Sequence, residues 1–376
     1  MRVVIVGGGV LGTMHAWHAI RRGHDVLQLE REGEARGASV RNFGLVWVSG
    51  RAGGVELTTT SRARELWQEL ANSVPGMGFR ANGSLSVVRT DAELAVAEQA
   101  CERADAGQRG FTLLTADEAR VINPALRGDM RGALYCERDA VVEPRPTQRA
   151  IREHLAASGR YTFVGGREAR SIDDGVDGTG VRDDTGERHP GDVVLVCPGA
   201  VLSGLTRELA PEIPVRRVRL QMMQTTPLGE PLPTSVADAD SFRYYPAYAG
   251  EALDELNRVQ PQHPVAARFG AQLLMVQRLD GGLTIGDTHD YDEPFGFDAD
   301  EEPTEHLLRT AAELLGRPTP AVRRRWCGVY AQCVDPTELV HRKRVADAVW
   351  LITGPGGRGM TMSPAIAEHT ANELGW

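Results

Sequence analysis

Residues 3–6 form an apolar, β-branched run that ends in Gly7-Gly8-Gly9. Residues 10–22 then carry apolar side chains at helical spacing, and Asp25-Val26-Leu27-Gln28-Leu29 is a second apolar run. The order strand, glycine turn, helix, strand defines a βαβ unit starting at residue 1. Within it Gly7-x-Gly9-x-x-Gly12 bridges strand and helix, and Glu30 closes the second strand eighteen positions beyond Gly12. In this context the three glycines have distinct tasks: a tight turn, close approach of backbone to a pyrophosphate, and close packing of helix on strand. The helix N-terminus offers free N–H groups to phosphate, and the acid at residue 30 suits the ribose hydroxyls. A dinucleotide-binding lobe is expected.

The fingerprint alone does not separate FAD from a nicotinamide dinucleotide, but three further segments do. Gly37-Ala38-Ser39-Val40-Arg41-Asn42-Phe43-Gly44 directly follows the acidic end of the βαβ unit, where flavoproteins pass an extended strand along the cofactor. Val193-Val194-Leu195-Val196-Cys197-Pro198-Gly199-Ala200 ends a buried strand in a turn of small residues. Thr353-Gly354-Pro355-Gly356-Gly357-Arg358-Gly359-Met360-Thr361 is a second strand-to-helix glycine turn, whose backbone N–H groups suit the polar edge of an isoalloxazine ring. The cofactor contacts expected are Gly7, Gly9, Val10, Leu11, Gly12, Glu30, Arg31, Ser39, Arg41, Asn42, Phe43, Gly44, Ala169, Cys197, Pro198, Gly199, Gly356, Gly357, Arg358, Gly359, Met360 and Thr361.

A chain of 376 residues exceeds one ordinary core, so two lobes are expected. Helical patterns fall at 56–73, 91–106 and 146–158, and strands at 84–88, 161–164, 192–197 and 349–353. From 218 to 285 the pattern changes to alternating strands and turns, and Asp280-Gly281-Gly282 between 273–278 and 283–286 is a hairpin signal. The architecture expected is α/β: a Rossmann-like, glutathione-reductase-type FAD domain from residues 1–78, 141–214 and 326–376. A second, α+β substrate domain on a mostly antiparallel sheet takes residues 79–140 and 215–325.

With a net charge of −9 and no basic run longer than Arg323-Arg324-Arg325, nucleic acid is not an expected partner. Five dispersed cysteines without a CxxC pair argue against a disulfide framework and a structural zinc site. His15 and His18 have i,i+3 spacing but no acidic neighbour, so no metal is expected there. With neither a signal-peptide pattern nor a stretch of about 18 apolar residues, a cytoplasmic protein without membrane association is expected.

The chain resembles the D-amino-acid oxidase superfamily of FAD-dependent oxidoreductases, near glycine oxidase and monomeric sarcosine oxidase. The resemblance rests on residues 4–12 with Glu30, 39–44, 193–199, Leu283-Thr284-Ile285-Gly286, Trp326-Cys327-Gly328 and 354–364. It implies oxidation over the flavin face beneath the antiparallel sheet. It also shows departures. The arginine that clamps substrate carboxylate in glycine and D-amino-acid oxidases corresponds to Tyr330, and a tyrosine of glycine oxidase to Leu274. The oxygen-directed lysine of sarcosine oxidase corresponds to Thr284, which argues against fast reaction with O2. The cysteine that tethers flavin in sarcosine oxidase falls near Gly328, with Cys327 and Cys333 off register, so noncovalent FAD is expected.

The substrate-anchoring candidates are Arg243, Tyr244, Tyr245 and Tyr248, in a long connection between strands, together with His289, Tyr330 and Arg358. The reaction implied is hydride transfer from the carbon beside a neutral amine to flavin N5, giving an imine that water hydrolyses to an aldehyde or keto acid. The substrate expected is a small, anionic amine or amino acid. The resemblance extends to a subgroup associated with aminophosphonates such as N-methylated 2-aminoethylphosphonate. The electron acceptor is O2 or a carrier. The alternatives are a flavin dehydrogenase with a non-oxygen acceptor, a non-catalytic flavin-binding protein, and a nicotinamide-dependent reductase that would be colourless.

Overall fold

The computed structural model describes residues 1–175 and 178–376. A six-stranded sheet runs from edge to edge through His341–Ala346, Val349–Thr353, Val193–Val196, Arg2–Val6, Asp25–Glu30 and Tyr161–Gly165. All neighbours pair in parallel except the first two strands. Parallel strands covered on both faces require continuous apolar runs, and Val3, Val4 and Ile5 are wholly buried. One face packs on the helices Val10–Arg21, Val55–Ser73, Pro144–Ala156 and Gly359–Glu373. The other is covered through Val181 and Ile172 by a small antiparallel sheet of Ala169–Gly175, Gly178–Asp183 and Arg188–Pro190.

The second lobe is an eight-stranded sheet ordered Val322–Cys333, Val215–Pro227, Gly282–Gly286, Leu274–Gln277, Ser235–Ala237, Ser84–Val88, Gly132–Cys136 and Phe111–Thr115. Every neighbouring pair is antiparallel except Ser235–Ala237 with Ser84–Val88. The expected hairpin forms, with Leu274 opposite Gly286 and Gly281 in the left-handed region at φ 80°. One face of this sheet is capped by the helix Glu301–Leu315 through Leu307, Ala311 and Leu314. The other presents Leu220, Met222, Leu274 and Tyr330 to the first lobe. Among the described residues no helix is long and apolar enough to cross a membrane.

Several expected boundaries shift for local reasons. The helix expected from 146 begins at Pro144, since proline's fixed φ suits a first turn. The helix expected over 91–106 ends at Glu102, and Ala106–Arg109 is a separate turn closed by Gly110. The domain boundary placed at 326 falls inside the strand Val322–Cys333, which belongs to the large sheet along its whole length.

Residues 47–51, which link Leu45–Val46 to the helix Val55–Ser73, run between the lobes without regular structure while being almost fully buried. Their backbone polar groups must therefore find side-chain partners. Asp139, wholly buried, accepts from Val48 N at 2.5 Å, Ser49 N at 3.1 Å, Ser49 Oγ at 2.7 Å and Ser84 Oγ at 2.6 Å. Arg109, also wholly buried, donates to Ser49 O at 3.1 Å and Arg51 O at 2.7 Å and pairs with Asp105 at 2.8 Å. Removing the Asp139 acceptor leaves several buried donors unsatisfied, each worth about 1–3 kcal/mol. Asp139→Ala is therefore expected to lose about 3 kcal/mol or more in denaturant unfolding; a loss below about 1 kcal/mol would contradict this clamp.

Candidate active site

One continuous cavity of about 1370 Å³ runs between the lobes. Ordinary small-ligand pockets occupy roughly 300–1,000 Å³, so the space suits an extended ligand. It starts at the first glycine turn. Gly7 has φ 111°, and a Cβ there would lie 2.2 Å from Cys197 O. A Cβ at Gly12 would lie 2.2 Å from Gly7 O. The N-cap of the helix Val10–Arg21 is Gly9, which supplies no side-chain cap, and its first turn holds no acid, so its N-terminal dipole suits an anion. Ser39 Oγ accepts from Val10 N at 2.8 Å, and Glu30 accepts from Gly8 N at 2.7 Å and Glu32 N at 3.0 Å. These contacts fix both side chains at the turn.

Of the residues expected to contact cofactor, Gly7, Gly9, Val10, Leu11, Gly12, Glu30, Arg31, Ser39, Arg41, Asn42, Phe43, Ala169, Cys197, Pro198, Gly199, Gly356, Gly357, Arg358, Gly359 and Met360 all line this cavity. Gly44 and Thr361 do not. Gly44 turns the chain at φ 70° against residue 142, where a Cβ would lie 2.1 Å from Val142 O. Thr361 Oγ1 accepts from Trp47 N at 2.9 Å and donates to Leu45 O at 3.2 Å, tying the C-terminal helix to the linking segment.

At its other end the cavity reaches a chamber of aromatic rings beneath the antiparallel sheet. Tyr244, Tyr245, His289 and Tyr330 line it as expected. His289 stacks on Tyr244 with centroids 4.2 Å apart, and Tyr244 meets Tyr245 edge-on at 5.0 Å. Arg243 and Tyr248 are the corrections. The Arg243 guanidinium is turned away, donating to Asp240 at 2.9 Å and Gln260 O at 2.6 Å and also contacting Asn257. Tyr248 packs on Phe242 with centroids 4.6 Å apart, outside the cavity lining. Arg358 lines the cavity, but its guanidinium donates to Glu338 O at 2.9 Å, Pro336 O at 3.2 Å and Glu56 at 3.3 Å. It stitches the glycine turn in place.

The sequence reading missed Trp47, Arg51, Gln272, Asp287 and Tyr291, all of which line the chamber. Only one signal pointed to any of them: Asp287 immediately follows an apolar hairpin strand, where an acid is out of pattern. Thr284 is buried and outside the lining, whereas Leu274 is inside. Four buried polar atoms on the lining residues have no protein partner: Trp47 Nε1, Gln272 Oε1, Asp287 Oδ1 and Tyr330 Oη. Such atoms are rare in native proteins, where protein or ordered water completes nearly all of them. Burial pushes the Asp287 carboxyl above its ordinary range, with His289 opposing the shift from 3.8 Å away. Burial likewise raises the Tyr330 and Tyr245 hydroxyls, keeping both protonated. His15 and His18 face away from all of this. Their ring nitrogens engage Leu11 O, Thr370 Oγ1 and Pro364 O, and burial lowers them to about 4 and about 3.

A glycine turn that a Cβ would fill, a helix N-terminus beside the Glu30 carboxylate, and a long cavity between the lobes together fit a flavin dinucleotide. The fold and the site thus define a two-lobed dinucleotide-binding protein. The chain matches the DAO family model, described as FAD dependent oxidoreductase, over residues 2–373, and it belongs to that family. Its cofactor is FAD.

Glycine oxidase from Geobacillus kaustophilus superposes with a TM-score of 0.77 at 20% identity, covering 99% of this chain and 94% of that one. D-amino acid dehydrogenase of Cereibacter sphaeroides is 24% identical over 98% of this chain and 90% of its own length. The mitochondrial pyruvate dehydrogenase phosphatase regulatory subunit of Mus musculus is 24% identical over 259 residues, which are 67% of this chain and 29% of that protein. The chain thus spans under a third of that last relative.

Two measurements check this geometry. Gly7→Ala places a Cβ against Cys197 O at a positive φ, so the variant should purify with most of its yellow colour lost; full retention of FAD would contradict the tight turn. For Asp287, the raised folded-state value means that its stabilising contribution is present at low pH and disappears as pH rises through that value. The melting temperature of Asp287→Asn relative to wild type should therefore climb from acidic to neutral pH. A pH-independent difference would contradict it.

Proposed function

We propose that this protein oxidises the C–N bond of a small amine, amino acid or aminophosphonate, using noncovalently held FAD. The reading rests on a single observation: one cavity links the dinucleotide turn to a desolvated aromatic chamber that ends in orphaned buried hydrogen-bonding atoms. FAD, when bound, supplies the hydride acceptor.

The chain's own residues supply position. Tyr244, Tyr245 and Tyr330 give flat walls for an alkyl amine, and fixing the reacting C–H bond removes the translational and rotational freedom that otherwise opposes reaction. In this reading Asp287 and His289, 3.8 Å apart on the cavity lining, accept the amine proton, since only the neutral amine gives up hydride readily. The aromatic walls surround the reacting bond with apolar surface, and hydrolysis of the released imine yields the aldehyde or keto acid. Cys197 is the only cysteine among the described residues lining the cavity. Burial pushes its thiol up to about 12, which supports noncovalent attachment.

A second reading, a dehydrogenase passing electrons to a carrier, is favoured by one observation. The chain's only lysine, Lys343, lies in the edge strand His341–Ala346 of the first lobe, outside the cavity lining. No ammonium group therefore stands over the chamber to promote oxygen reduction.

Anaerobic mixing with a panel of amines, amino acids and aminophosphonates should bleach the flavin with at least one member. A panel that never bleaches it removes the proposal. With that substrate, comparing peroxide formation with dye reduction separates oxidase from dehydrogenase. Tyr330→Phe deletes one orphaned hydroxyl and should lower kcat/KM about 10-fold, the kinetic equivalent of one hydrogen bond, while keeping FAD bound.

A further inference from the structure

The edge strand of the large sheet leads out of the cavity. Along Val322–Cys333 alternate residues share one face. On the face turned towards the first lobe, Tyr330 and Gly328 line the cavity, and Trp326 and Arg324 continue the row beyond it. The first lobe meets this row with Arg41, an exposed residue that also lines the cavity. Arg41 Nη1 donates to Cys327 O at 3.0 Å, and Trp326 Nε1 donates to Arg41 O at 3.2 Å. The rim of the cavity is thus stitched to the protein surface here.

Three arginines gather at this point. Arg145 lays its guanidinium over the Trp326 ring, with Cζ 5.4 Å from the centroid, and Arg324 lies two positions before Trp326 on the same strand face. Among the described residues none of Arg41, Arg145 and Arg324 has a carboxylate within 4.0 Å. The neighbouring acids are engaged elsewhere: Asp280 with Arg323 at 3.2 Å, Glu301 with Arg325 at 3.1 Å and Glu143 with Arg80 at 2.9 Å. Partial burial, then repulsion by Arg324 and Arg41, holds the Arg145 guanidinium below its usual value against the pull of Asp280.

The position of Arg145 is also locally unfavourable. It occupies the first turn of the helix Pro144–Ala156, where the helix dipole favours acids and none is present. A chain of net charge −9 has therefore collected three unneutralised cations around one tryptophan at the rim of its cofactor cavity. Like charges held together lower stability, and a partner of opposite sign relieves them.

We propose that Arg41, Arg145, Arg324 and the ring of Trp326 form the docking surface for a small acidic one-electron carrier protein, which takes electrons from the cofactor at this rim. The inference rests on the amine-oxidation reading in its dehydrogenase form and deepens it by assigning the acceptor's charge and its place of approach. Arginine and tryptophan are the side chains that anchor protein interfaces, and redox encounters use small, electrostatically steered contacts. A carrier fits where a lipid or a nucleic acid does not, because only a redox partner gains from binding beside the cofactor. Each amine oxidised adds a hydride and a proton to the cofactor. Two carrier molecules then take one electron each, two protons pass to solvent, and oxidised FAD is restored.

The test needs no amine. The flavin of the holoenzyme is reduced photochemically without oxygen and mixed with oxidised plastocyanin, an acidic copper protein, or with oxidised cytochrome c, a basic haem protein. At low ionic strength plastocyanin should reoxidise the wild-type flavin, and added salt should lower that rate by about 10-fold or more. In the doubly substituted protein Arg145→Glu, Arg324→Glu the plastocyanin rate should fall about 10-fold or more while the cytochrome c rate rises. An acid at residue 145 complements the helix dipole, which favours folding of this variant. Unchanged rates with both carriers, or an equal fall with both, overturn the proposal. Should the variant fail to fold, Arg145→Gln with Arg324→Gln decides: a wild-type plastocyanin rate overturns the surface.

Binding is read separately from electron transfer. Calorimetric titration of plastocyanin into oxidised holoenzyme at low ionic strength should show an affinity weakened about 10-fold or more in the charge-reversed protein. No binding, or an unaltered affinity, overturns the surface. Wild-type binding to phosphatidylglycerol vesicles in place of plastocyanin assigns the arginines to a membrane and overturns the carrier. Carrier rates that follow charge in a holoenzyme that no amine bleaches uphold the surface and remove the amine-oxidation reading. Bleaching by an amine with carrier rates indifferent to charge does the reverse.

Discussion

The structure depends on how a buried stretch of irregular backbone, residues 47–51, keeps its polar groups satisfied between two lobes. In a strand these amides and carbonyls would pair with neighbours; here they meet charged side chains instead. Asp139 reaches them from the large sheet's side and Arg109 from the short helix Ala106–Arg109. Thr361 Oγ1, from the C-terminal helix, adds a third hold on Trp47 N. Elements far apart in sequence thus converge on one segment, and that segment presents Trp47 and Arg51 to the cavity.

The same economy of partners explains the chamber. One wall is the sheet face of Leu220, Met222 and Leu274, whose apolar side chains offer no hydrogen bonds to the polar groups beside them. Asp287, Gln272, Trp47 and Tyr330 carry atoms that the folded chain leaves unpaired. Such groups reduce stability, and proteins keep them where binding or chemistry uses them. The raised Asp287 carboxyl is the electrostatic trace of that arrangement, since desolvation disfavours its charged form more than the nearby His289 relieves it.

Much of the frame was legible in the residues. The glycine fingerprint, the buried strands at 3–6, 193–196 and 349–353 and the hairpin at 280–282 all depend on local rules: periodicity, turn chemistry and the geometry of a helix N-terminus. Twenty expected cofactor contacts line the cavity because they belong to segments whose backbone conformation glycine and small residues prescribe. Gly44 and Thr361 sit in the same segments and miss the cavity, since a segment prescribes its path but not which way each residue faces. The substrate candidates divided more evenly. Arg243 looked like an anion anchor until its helix brought Asp240 and Asn257 to it, while Arg51, set among glycines, carried no pattern at all.

By itself the sequence determined that this chain builds a dinucleotide turn, a parallel sheet around it and a separate antiparallel lobe, because these follow from spacing within a few residues. Only the tertiary structure decided which side chains share the chamber and which charges go unpaired. Those outcomes depend on contacts between positions such as 47, 245 and 287, brought together by packing of the two lobes rather than by any local preference of the chain.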